Sequence, residues 1–113
     1  MPKANLDPRI QMHIELALSA DYACGQTVIG QDARARELGL LGAEVDAARN
    51  GSGFDVNAAA AVQYACAFRA GHARALAKAR QIALKTGFTA NDIVAIEIIA
   101  LKLMNNYREM LGD

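Results

Sequence analysis

A chain of 113 residues has room for one domain with one hydrophobic core, spanning residues 1–113. With 53% hydrophobic and 21% charged residues the composition is that of a globular protein and excludes a disordered one. Twelve basic and twelve acidic residues cancel, so no net charge draws the chain to nucleic acid or an anionic membrane, and neither partner is expected.

Aromatic residues make up 5% and tryptophan is absent, while alanine is abundant, which implies closely spaced helices. Two cysteines, Cys24 and Cys66, are too few for a disulfide-stapled scaffold. Both are expected as free thiols in a reducing cytoplasm. The opening MPKANLDP lacks the apolar core of a signal peptide. The longest largely apolar stretch, Ile93 to Met104, contains Glu97 and Lys102 and is shorter than a membrane span.

Asp7–Pro8 predicts a helix start: a carboxylate that accepts from orphan amides, then a proline with a fixed φ. That first helix runs from about Pro8 to Ser19, with Ile10, Ile14 and Leu18 on one side. After an interruption at Ser19–Asp21, Asp21 is expected to cap a second helix, placing Cys24 at its third position. Cys24, Thr27, Val28, Gln31, Ala35 and Leu38 then share one buried face, and Gly39 closes the helix. A short helix from about Ala43 to Arg49 stops at Asn50-Gly51-Ser52-Gly53. That stretch has neither the lysine nor the preceding strand of a phosphate loop, and reads as a turn.

Asp55 caps a helix through about Ala70 that is apolar nearly all round and is expected to be the central one. Gly71 breaks it. A fifth helix covers Arg74 to Lys85 with Gly87 as its cap, and Thr89 with Asp92 forms a capping box opening the last, from Ala90 to about Met110. No span asks for a strand. A weak internal repeat sets Gly39-Leu40, Glu44-Val45 and Ala47 against Gly87-Phe88, Asp92-Ile93 and Ala95.

The segment CGQTVIGQ, followed by Gly39-Leu40 and ELGLLGAEVDAARNG, resembles the signature of the alkylhydroperoxidase D-like family, which includes the carboxymuconolactone decarboxylases. KTGFTANDIVAIEIIALKLMNNY is similar to that family's second glycine turn and final helix. The resemblance covers nearly the whole chain and implies an all-α bundle of about six helices that forms homo-oligomers. In complete members, it implies, a glutamate and a histidine relay protons to a Cys-x-x-Cys pair. Here Cys24 stands at the first cysteine, Thr27 at the second, Gln31 at the histidine and Met12 at the glutamate. Glu15 lies one turn along and is the candidate acid. A disulfide exchange needs both thiols, and an amide does not titrate near neutral pH, so neither Thr27 nor Gln31 restores the relay.

The candidate site is therefore Cys24 with Thr27, Gln31 and Glu15. A thiol near a helix start has its thiolate favoured by the amides, and a peroxide can oxidise it to a sulfenic acid. Cys66, inside QYACAF, reads as core packing, and His13 and His72 as surface or helix-end groups outside any metal-ligand spacing. No cofactor or metal is expected. Glu97 is either exposed or buried against an arginine or tyrosine. Asn105, Asn106 and Tyr107 read as helix-end or subunit-contact residues. Three functions stay open: a thiol-linked antioxidant using a small substrate and an external thiol; a lyase on a small carboxylated lactone, held beside Arg34, Arg69 or Arg74; or a non-catalytic binding or assembly subunit.

Overall fold

Helix boundaries follow from the capping chemistry. A computed structural model describes residues 6–21, 23–53 and 55–110, the last four by backbone alone. The N-terminal residues 1–5, where no leader is expected, and the side chain of Tyr107 lie outside that description. The helices are α1 (Pro8–Ser19), α2 (Gly25–Glu37), α3 (Gly42–Arg49), α4 (Val56–Ala70), α5 (Ala73–Thr86) and α6 (Ala90–Met110), with no strand among the described residues. Asp7 accepts from the Arg9 amide and Asp55 from the Ala58 amide, as their positions predict. Thr89 and Asp92 exchange both bonds of their capping box, at 2.9 and 3.1 Å.

Glycines close the helices where the sequence places them. Gly39 and Gly87 hold φ of 84° and 123°, values that side chains with a Cβ rarely adopt. Each is followed by an apolar residue whose amide bonds five residues back: Leu40 to the Ala35 carbonyl and Phe88 to the Ala83 carbonyl. Gly53 has another reason. A Cβ there would collide with the backbone of Ala59, so the Asn50–Gly53 turn sits directly against α4.

The central helix is α1, where the apolar surround of α4 pointed to α4. Ile10, Ile14 and Leu18 pack into the larger cluster with Ala61, Tyr64 and Ile96. Met12 and Leu16, on the opposite side, pack with Ala35, Leu40 and Val45. The molecule is thus layered, with α2 and α3 on one side of α1 and α4 and α6 on the other, α5 lying outside against α4. Alternating apolar faces along Ile10–Leu18 carried that information, but α4's longer alanine run masks it. The all-α reading stands, and no described helix is long and apolar enough to cross a membrane.

Candidate functional site

Cys24 is the residue before the first turn of α2, not its third. The cause lies upstream. Asp21 belongs to the turn that ends α1, with the Ala23 amide reaching back to the Ser19 carbonyl at 2.9 Å, so it is not free to cap α2. Cys24 is extended, at φ −83° and ψ 173°, and its carbonyl accepts the Val28 amide. The thiol therefore stands over the open N-terminal amides of α2, exposed to solvent, where the helical spacing had put it on a buried face.

Thr27 is one turn on, and its Oγ1 lies 3.3 Å from the Cys24 Sγ. That hydroxyl first, then the amides of Thr27 and Gln26, pull the Cys24 thiol below its ordinary value against a small opposing effect of burial. Cys66 behaves in the opposite way. It packs partly buried against the core, and burial pushes its thiol up, with Arg69 opposing and Asp21 adding to the shift. Both cysteines are free.

Gln31 is buried to 2% exposure and fully engaged. Its Nε2 donates to Ser19 Oγ at 2.7 Å and to Glu15 Oε2 at 3.3 Å, and its Oε1 accepts from Arg49 Nη2 at 3.3 Å. Glu15 in turn receives both terminal nitrogens of Arg34, and Arg49 pairs with Asp32 at 2.9 Å. The amide joins α1, α2 and α3, with two donor bonds and one acceptor bond fixing its orientation. So the four predicted residues form two pairs. Cys24 and Thr27 meet in the open; Glu15 and Gln31 meet inside; no hydrogen bond among the described residues links the pairs. A cavity of about 390 Å³ beside the second pair is lined by Met12, Glu15, Arg34, Leu38, Ile99 and Leu103, and Cys24 is not part of its wall.

Sequence reasoning missed His13. It is not at the surface but 2% exposed, with Nδ1 on the Arg9 carbonyl at 2.7 Å and Nε2 3.6 Å from Glu44 Oε2. The only local signal was Glu44 three residues past Leu41, where a carboxylate reaches back to an amide. His72 is exposed at the start of α5, as expected. Glu97 resolves to a pairing, accepting from Tyr64 Oη. Among the described residues no group of three His, Cys, Asp or Glu side chains is placed to hold a metal ion. No family model, curated protein or solved structure matches this chain.

Proposed function

We propose that this chain is a thiol-linked antioxidant of the alkylhydroperoxidase D-like kind, working in the cytoplasm with Cys24 as its single reacting group. The observation that carries the reading is the exposed Cys24 Sγ before α2, bonded to Thr27 Oγ1 and lowered in pKa by that hydroxyl and two amides. The thiolate attacks the distal oxygen of a peroxide. An S–O bond forms, the O–O bond breaks, and the departing oxygen takes a proton from water to leave as an alcohol. Two equivalents of an external thiol then reduce the sulfenic acid, giving a disulfide, water and the free Cys24 thiol. Among the described residues no cation and no titrating base contributes to lowering the thiol, so the reaction is slow.

The lyase alternative needs a cation for a substrate carboxylate. Arg34 is closed onto Glu15 and Arg69 onto the Leu18 carbonyl at 2.8 Å, which occupies two of its three candidates. The assembly reading is compatible with the thiol. Val94, Ile98 and Leu101 lie one helical face apart on α6 and are each about half exposed, at 51%, 47% and 47%. A self-associated chain would cover them.

Peroxide consumption with a small thiol as donor tests the function. Slow turnover is expected, retained by Cys66→Ala and lost in Cys24→Ser. Turnover unaffected by Cys24→Ser would refute it, and turnover lost in both variants would replace one cysteine with a pair. The family's dithiol–disulfide exchange should stay at background, because Thr27 stands where the second thiol would be.

A further inference from the structure

The starts of α1, α3, α4 and α6 surround a second cavity, of about 510 Å³, which Cys24 does not line. Its wall carries four carboxylates, Asp7, Glu44, Asp55 and Asp92, against one guanidinium, Arg9. All four serve helix starts: Asp7, Glu44, Asp55 and Asp92 each accept one backbone amide through one of two oxygens. Acidic caps alone would mean nothing more than helix starts. The second observation is His13, which also lines this cavity. Its Nδ1 faces a carbonyl, which can only accept, so Nδ1 carries a proton, and in the tautomer this fixes the lone pair lies on Nε2. That Nε2 is buried and has no hydrogen-bond partner. What it faces, 3.6 Å away, is another acceptor, the Oε2 of Glu44. A buried acceptor left unmet is costly, and more so beside a carboxylate.

We propose that this cavity binds an alkyl diamine, with one ammonium lying between His13 Nε2 and Glu44 Oε2. Nε2 is closed to solvent as the side chains stand, so an ammonium nitrogen bridges the two atoms from one side, about 2.9 Å from each, only once a neighbouring side chain shifts. Arg9 shows that the carboxylate takes a nitrogen cation: its Nη2 sits 3.2 and 3.3 Å from the two Glu44 oxygens, on a side chain 47% exposed and able to move aside. Leu6, Ile10 and Phe88 give the same cavity an apolar wall for the methylene chain, and Asp55 and Asp92 receive the second ammonium. A divalent metal is the poorer occupant, since no three ligand side chains converge among the described residues. The internal repeat contributes directly: Glu44 and Asp92 occupy equivalent places in its two copies, and both line the cavity.

Calorimetry on the whole chain at fixed ionic strength tests the site with butane-1,4-diamine, against butane-1,4-diol and magnesium chloride. The diamine should bind and the diol should not. Glu44→Gln and His13→Gln, checked for folding by circular dichroism, should each weaken the diamine at least tenfold. Nitrogen NMR of the His13 ring in the unaltered protein gives a readout that survives if both variants fail to fold. On diamine addition Nε2 should shift as a hydrogen-bonded, unprotonated nitrogen. Diamine binding no tighter than magnesium would reduce the cavity to diffuse screening and overturn the proposal. So would a His13 ring protonated on both nitrogens from pH 6 to 8 without ligand, because a proton alone then satisfies Glu44.

Discussion

Tyr64 is buried to 1% exposure, and its hydroxyl donates to Glu97 across the α4–α6 contact. Burial first, then the Glu97 carboxylate, pushes the phenol up to about 12. The folded state therefore holds the phenolic proton more tightly than the unfolded chain. This contribution is complete below the unfolded value of about 10 and is lost as pH rises from there to about 12. Tyr64→Phe should cost about 1.5–3 kcal/mol near neutrality, the range for a hydrogen bond to a charged group, and should flatten the alkaline loss. Denaturant melts at pH 8 and 11.5 check both. At Cys24 the sign is reversed: Thr27→Val removes the largest cause of the lowered thiol and should move the alkylation profile of Cys24 to higher pH. Alkylation of Cys66 should be unmoved. Cys24 and Thr27 were legible as neighbours because they lie three positions apart at a helix start. Tyr64 and Glu97 were legible only as a choice of partners, since nothing local says that α4 and α6 touch there.

Helix junctions explain what the internal repeat is. The α2–α3 and α5–α6 junctions share a positive-φ glycine, an apolar residue bonding five residues back, and a carboxylate accepting the amide three residues before it. A similarity of scattered letters is thus one turn chemistry used twice. Gly87→Ala, at φ 123°, should cost about 1–2 kcal/mol by thermal melting, the strain of an L side chain in that region. Leu16→Ala should cost more, about 2–5 kcal/mol, because Leu16 is wholly buried in the α1–α2–α3 cluster. Caps and glycines made nearly every boundary readable. The α2 start was not, because Asp21 has the chemistry of a cap and only the continued α1 turn takes it away.

Across the whole molecule, ion pairing and apolar exposure separate. The pairs Arg9–Glu44, Arg34–Glu15 and Arg49–Asp32 all join α1, α2 and α3. Among the described residues α6 has none, and it shows solvent Val94, Ile98 and Leu101 instead. Ile98→Glu should lower the mass found by light scattering at micromolar concentration to that of one chain, from at least two. A stable monomer of the unaltered chain would remove the assembly proposal. The layering around α1 was written in its two apolar faces but masked by the alanine run of α4, and the three-dimensional packing assigns those faces to different clusters. The His13–Glu44 contact was not legible, since its partners belong to helices that α2 separates in sequence.

The thiol reading rests on Cys24 differing from Cys66 in exposure and in the direction of its pKa shift. Brief peroxide exposure with a sulfenic-acid trap, followed by mass spectrometry of the peptides holding each cysteine, measures that difference directly. The trap should label Cys24 and leave Cys66 unmodified. Equal and negligible labelling of both cysteines, unchanged up to about pH 9 where an ordinary thiol of pKa about 8.5 is ionised, would contradict it and leave Cys24 as an inert helix-end residue.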